Sequence, residues 1–237
     1  RSLPTKFPSG ENMKKLIWFT FLLVCLLRID SFADDLQYIN FFQESVRQSI
    51  ISGSQKTVKI LESGGTGSGF IISADGYIIT NSHVVHSDKT VTVVMNTGKK
   101  YNGQVISSSK IKDLALVKIK ETGLPFFQIA NSDDLYVGQF ALAIGYPFGE
   151  YSSTFGMISN TEESGKDGLT YLKSDIAINP GNSGGPLVDL NGKLIGINDA
   201  IYDGANTTSY SIPSNTLISI LDRLKTNTPI KKGLAGI

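Results

Sequence analysis

Cysteine is all but missing from this chain of 237 residues: Cys25 is the only one, so neither an internal disulfide nor a thiolate metal centre can be built from it. Histidine is almost as scarce. His83 and His86 are the two present, and without cysteines or carboxylates clustered at ligand spacing they exclude a zinc site and leave His86 as a surface side chain. No charge of one sign dominates either: a net charge of +1 with 18% charged residues offers nothing to nucleic acid. The longest apolar run, Leu16 to Leu27, has 12 residues, short of the roughly 20 that span a bilayer as a helix. The run Gly64-Gly65-Thr66-Gly67-Ser68-Gly69 has neither G-x-G-x-x-G spacing nor a Gly-Lys-Ser/Thr ending, which excludes a nucleotide loop and leaves a glycine-rich approach to a buried strand. Internal repeats and low-complexity tracts are absent. The sequence calls for no cofactor and no metal.

What is present suffices for one or two small cores, since 41% of the residues are hydrophobic. Five of the 22 basic and two of the 21 acidic side chains lie in residues 1–33, so the remainder carries 17 and 19 and a net charge of −2. Met13-Lys14-Lys15, the apolar run after it, and Ser31-Phe32-Ala33 have the order of a secretory signal peptide, with cleavage expected after Ala33. Val24 before Cys25 fits a lipoprotein signal poorly, and residues 1–12 precede Met13 and are set aside from the fold. Cleavage removes Cys25, leaving a cysteine-free chain suited to an oxidising compartment such as the periplasm and without a stable membrane span. From Leu36 to Ser49, Ile39, Phe42, Val46 and Ile50 recur at three- and four-residue steps, which predicts an amphipathic helix with an aromatic start at Tyr38, Phe41 and Phe42.

Asn179-Pro180-Gly181-Asn182-Ser183-Gly184-Gly185-Pro186 places a serine on a glycine-flanked turn, the arrangement a covalent nucleophile requires if neighbouring amides are to face an oxyanion. Gly181, Asn182 and Ser183 are the candidate amides. An ordinary Asn/Gly/Ser surface turn is the alternative until partners are found. Two partners lie upstream. His83 follows the apolar run ending at Thr80, and Asp113 stands directly before Leu114-Ala115-Leu116-Val117-Lys118-Ile119. The order His83, Asp113, Ser183 is that of chymotrypsin-like enzymes, as opposed to subtilisin or the α/β-hydrolases.

Short strands without interleaved helices predict an all-β architecture of barrels or sandwiches. They are expected over 70–72, 77–80, 90–95, 101–107 and 114–119, then over 127–130, 139–145, 153–159, 171–174, 186–189, 193–198 and 210–212. Asn191-Gly192 signals a hairpin, and the stretch from Glu121 to Pro125 reads as the crossing between two halves. His83 and Asp113 fall in the first half and Ser183 in the second, so the site is expected in the cleft between two barrels. Ser214 to Lys225 reads as a closing helix with Leu217, Ile218, Leu221 and Leu224 on one face. The organisation expected is residues 1–33 as upstream residues and signal, 34–121 as amino-terminal segment and first barrel, 122–228 as second barrel and helix, and 229–237 as a linker.

Gly67-Ser68-Gly69-Phe70-Ile71-Ile72, Asp75-Gly76-Tyr77-Ile78-Ile79-Thr80-Asn81-Ser82-His83-Val84-Val85, Ala143-Ile144-Gly145-Tyr146-Pro147-Phe148-Gly149 and the segment from Ser174 to Leu187 resemble the HtrA (Deg) family of serine proteases over residues 38 to 225. The resemblance implies a trypsin-like double β-barrel with amino- and carboxy-terminal helices. It also implies ATP-independent endopeptidase activity on unfolded or misfolded proteins and a homotrimer built with the aromatic amino-terminal segment. Residues 231–237 resemble a linker into a PDZ domain, either cut off here or absent from a protease-only member. Asp175 reads as a hydrogen-bonded structural acid. Ala177, six residues before Ser183, and Ile178 give an apolar specificity pocket, to which Ile197 and Asn198 are also assigned. Two rival readings use the same residues: a chaperone-like binding protein with a latent triad, and an esterase or acyl hydrolase.

Overall fold

The computed structural model describes residues 10–165, 168–199 and 208–230, with the side chains of residue 12 and residues 23–35 left undescribed. Two compact units divide the chain at Ser45/Val46. Helix α1 (Gly10–Lys56) is continuous, where a helix had been expected only from Leu36. The reason is local, because its 47 residues contain no proline and no glycine between Gly10 and Gly53 to interrupt it. Tyr38, Ile39 and Phe41 are exposed, while Val46 and Ile50 pack on the core of the second unit. Among the described residues no helix is long and apolar enough to cross a membrane.

The second unit holds two closed six-stranded antiparallel barrels, a chymotrypsin-like arrangement. The first comprises β1 (Thr57–Glu62), β2 (Gly65–Ile71), β3 (Tyr77–Thr80), β4 (Thr90–Val94), β5 (Lys100–Ser109) and β6 (Leu114–Lys118). The second comprises β7 (Phe140–Gly145), β8 (Ser152–Ser164), β9 (Thr170–Ser174), β10 (Pro186–Val188), β11 (Leu194–Asp199) and β12 (Ser209–Pro213). Among the described residues two further α-helices occur, α2 (Ser82–Val85) and α3 (Ser214–Lys225). Strand β1 was not foreseen, because it follows α1 with no turn residue between them. It nevertheless closes the first barrel, pairing with both β2 and β4 and burying Val58 and Ile60 on alternate positions. Conversely, 127–130 is no strand. Phe127 N–H donates to Ile71 O at 3.0 Å and Ala130 N–H to Leu194 O at 2.8 Å, so this segment ties one barrel to the other. The Asn191-Gly192 hairpin joins β10 and β11, with the Asp189 carboxylate accepting from Asn191 N–H at 2.9 Å and Lys193 N–H at 2.8 Å.

Each barrel has its own interior. Val58, Ile60, Ile71, Ile78, Val93 and Val117 fill the first, and Ala141, Ala143, Ile158, Leu172, Leu187 and Ile195 the second. The largest cluster belongs to neither alone: Phe70, Ile79, Leu114 and Leu116 meet Ile144, Val188, Ile197 and Ile212 beneath α3. Helix α3 buries Leu217, Ile220 and Leu224, and Ser107 Oγ of β5 donates to Leu224 O at 2.6 Å. Helix α3 therefore fastens onto the first barrel.

Candidate active site

Strand β3 ends at Thr80, and Asn81 turns the chain into α2, which carries His83. Four hydrogen bonds join this corner to Asp113. His83 Nδ1 lies 2.7 Å from Asp113 Oδ2, and the His83 backbone N–H donates to Oδ1 at 3.0 Å. The Asp113 carbonyl accepts from Asn81 Nδ2 at 2.8 Å and from Ser82 N–H at 3.2 Å. Asp113 takes φ 49, left-handed backbone that few residues other than glycine, Asn and Asp adopt. That conformation turns carboxylate and carbonyl together towards the corner.

The serine turn is tied from the first barrel. Ser68 of β2, fully buried, donates its Oγ–H to Gly181 O at 2.6 Å and accepts from Tyr146 N–H at 2.9 Å. Its backbone N–H donates to Ser183 O at 2.9 Å. Thr80 Oγ1 in turn donates to Ser68 O at 2.6 Å. Gly184 packs against this same group at φ +80: a Cβ there would run into Thr80 Oγ1 and Ser68 O and come within 2.9 Å of Asn81 N. Ser183 is thus held beside the residues that lead into His83. Gly181 has φ +104, and a side chain there would strike Tyr146 O and the turn at Pro147-Phe148-Gly149. That turn is pinned by Phe148 N–H to Pro180 O at 3.0 Å and by Lys59 Nζ to Gly149 O at 3.1 Å.

The expected site residues separate by position. His83 and Asp113 are hydrogen-bonded, and Ser183 is buried at 6% exposure on the tied turn. Asn182 N–H donates to Asn179 O at 2.9 Å, so this amide is spent on the turn, unlike the expectation that it faces the cleft. Ala177 is exposed and Ile178 half-buried, but Ile197 is fully buried in the shared core. Asn198 is fully buried as well, its side chain bonded to Pro186 O and Ser211 Oγ. Neither Ile197 nor Asn198 presents a side chain to solvent. Asp175 accepts from Met157 N–H at 2.7 Å, as a structural acid should, and His86 is exposed. Residues 231–237 of the expected linker lie outside the described residues.

Two residues of the site went unread in the sequence. Ser68 looked like part of a glycine run. Asp199 ends β11, one residue beyond the stretch assigned to the pocket, and its carboxylate lies within 4.8 Å of ligand-type atoms of His83 and Asp113. Its only signal was an acid ending an apolar strand, as Asp113 begins one. A separation of 2.7 Å between His83 Nδ1 and Asp113 Oδ2 is a hydrogen bond, shorter than the roughly 3.3 Å between two ligands of one zinc ion. Burial of the His83 imidazole, the largest influence, lowers its pKa, but the Asp113 hydrogen bond and the charges of Asp113 and Asp199 outweigh it and hold the pKa above its ordinary value.

Two barrels meeting at a His–Asp pair and a serine turn define a chymotrypsin-like protein. Residues 67–197 match the model of the trypsin-like peptidase domain, and the chain belongs to that family. A probable periplasmic serine endoprotease, DegP-like, of Marinomonas sp. (strain MWYL1) is 41% identical over 177 residues, covering 72% of this chain and 38% of that protein. The protein of the same description from Chlamydia trachomatis serovar D is 39% identical over 181 residues, covering 72% and 36%. The solved structure of the HtrA-type protease AlgW with tripeptide superposes with a TM-score of 0.73 at 31% identity, over 78% of this chain and 65% of that one. The chain thus spans about two fifths of the length of the curated relatives it matches.

Proposed function

We propose that the chain is a serine endopeptidase that hydrolyses peptide bonds in unfolded or damaged proteins, without ATP or a cofactor. The observation that carries this reading is the 2.7 Å hydrogen bond between His83 Nδ1 and Asp113 Oδ2 beside the tied serine turn. With Nδ1–H donated to Asp113, the neutral imidazole keeps its lone pair on Nε2, where it can take the Ser183 Oγ proton. Ser183 Oγ bonds to the scissile carbonyl carbon and the carbonyl π pair moves to oxygen. The Gly181 and Ser183 amides stabilise that oxyanion, with the Asn182 amide retained by the turn. His83 Nε2–H then protonates the amine as the C–N bond breaks, leaving an ester on Ser183. Water adds to the ester with His83 again as base, and the acid product leaves as Ser183 Oγ–H is restored.

Cleavage follows small or medium aliphatic residues. The loop before Ser183 offers Ala177 and Ile178, and the Asp175 carboxylate is engaged by Met157 N–H. Burying a Lys or Arg side chain there would cost several kcal/mol without a counter-charge, whereas an aliphatic one gains about 25 cal/mol per Å² of buried apolar area. Export to the periplasm with cleavage after Ala33 is supported by the order of charged, apolar and small residues and by the names of the relatives. Assembly as a homotrimer is supported by Tyr38 and Phe41, each 74% exposed.

Labelling with a fluorophosphonate, read by intact mass, followed by a mass-spectrometric map of casein fragments, tests this reading. Expected are one adduct on the parent, none on Ser183→Ala, and cuts mainly after aliphatic residues. Ser183→Ala should reduce kcat on the order of 10⁴- to 10⁶-fold with the fold intact. Labelling with small-ester turnover but no casein cleavage would make the chain an acyl hydrolase. Failure to label would leave a binding protein with a latent triad.

A further inference from the structure

The triad leaves one buried acid of the site without a role. Asp199 is 4% exposed at the end of β11, and its carboxylate is within 4.8 Å of both His83 and Asp113. Its placement is fixed by the serine turn itself: Gly184 N–H donates to Asn198 O at 2.9 Å and Asn198 N–H to Gly185 O at 2.8 Å. Asn198 Nδ2 also donates to Pro186 O at 3.1 Å. The strand end that carries Asp199 is therefore bonded to the residues that follow Ser183.

Two carboxylates this close repel each other, and burial of Asp199 removes part of the water that would screen them. A protonated imidazole beside both offsets that repulsion. Imidazolium is what forms when His83 takes the Ser183 proton, so a second acid favours the transition state more than the resting state. Building on the peptidase reading above, we propose that Asp199 is a second positioning acid of His83, so that the imidazolium of each turnover is held between carboxylates from both barrels. Among the described residues the charged groups acting on His83 are Asp113, from the segment leading into β6, and Asp199, from β11. His86 caps the far end of α2 and is exposed. Tyr210, opposite Asp199 on β12, turns its ring edge-on to Tyr171.

The test reads His83 directly. In the full chain carrying Ser183→Ala, the Cε1–H resonances of the two histidines are followed by NMR against pH, with Asp199 intact, as Asp199→Asn and as Asp199→Glu. Asp199→Asn is expected to lower the His83 midpoint, Asp199→Glu to keep it near the parent's, and His86 to stay unmoved. With Ser183 present, Asp199→Asn should move the acid limb of kcat/KM to lower pH. The ratio of activity at about pH 6 to that at about pH 8 then rises, while plateau kcat falls more than KM changes. An unmoved His83 midpoint in folded Asp199→Asn overturns the proposal, and so does a loss of activity with the acid limb in place, which is what a packing role would give. Should Asp199→Asn not fold, the smaller Asp199→Ser carries the same reading. A shifted midpoint in a chain whose parent turns over no substrate supports the pairing and sinks the peptidase reading instead.

Discussion

Asp113 meets the corner through two groups that respond differently to substitution. Its carboxylate orients His83, whereas its carbonyl holds Asn81 and Ser82. Asp113→Asn keeps the carbonyl, and Asn tolerates the left-handed backbone at φ 49, so the corner should stay folded. The amide nevertheless favours the wrong imidazole tautomer, and kcat near pH 7 should drop on the order of 10⁴-fold. The pH profile carries a sign as well. In the proposed mechanism neutral imidazole is the base, and Asp113 helps to raise the His83 pKa, so activity in the parent is expected to fade as pH falls through that raised value. Removing the charge lowers the value, and the residual activity of Asp113→Asn should persist to lower pH than the parent's. Rate profiles of purified protein check both points, and near-parental activity at neutral pH would mean that another residue orients His83. His83 and Asp113 were singled out in the sequence because they lie close to strand ends in the order His83, Asp113, Ser183.

Strand β2 is the element that converts barrel geometry into site geometry. Ser68 reaches Gly181, Tyr146 and Ser183 at once because it lies where the first barrel abuts the second. Ser68→Ala leaves Gly181 O and Tyr146 N–H short of a partner, at a cost of about 1–3 kcal/mol for each buried group so stranded. The serine turn loosens, and a displacement on the order of 1 Å can cost about 10²-fold in rate. The expectation is a fall of kcat of that order with a smaller change in KM and a lower Tm, checked by steady-state kinetics and thermal melting. Parental kcat in a destabilised variant would show that the turn holds itself. Nothing local marked Ser68, since a serine in a glycine run is common and its partners lie up to 115 positions away. The unforeseen β1 has a similar cause: its Val58 and Ile60 alternate as a strand should, but α1 runs into it without a turn.

At the scale of the molecule, the two barrels share their largest core, so they should unfold together. Phe70 is fully buried and meets Phe127 edge-on at 5.9 Å, on the segment that ties the barrels. Phe70→Ala should destabilise by about 3–5 kcal/mol, which lowers Tm by roughly 10 °C for a domain of this size. Calorimetry should show one shifted transition for the barrel unit. Two transitions, with only the first barrel affected, would contradict a shared core. The sequence by itself determined what depends on neighbours along the chain: the turns, most of the strands, the helix from Ser214 to Lys225, and the order of His83, Asp113 and Ser183. Turn chemistry and two-residue alternation are short-range, so they survive without knowledge of the fold. Only the tertiary structure decided that Asn182 spends its amide inside the turn, that Ile197 and Asn198 face inward, and that Ser68 and Asp199 join the site. Those outcomes are set by closure of each barrel and by docking of one against the other, which bring together side chains more than a hundred residues apart.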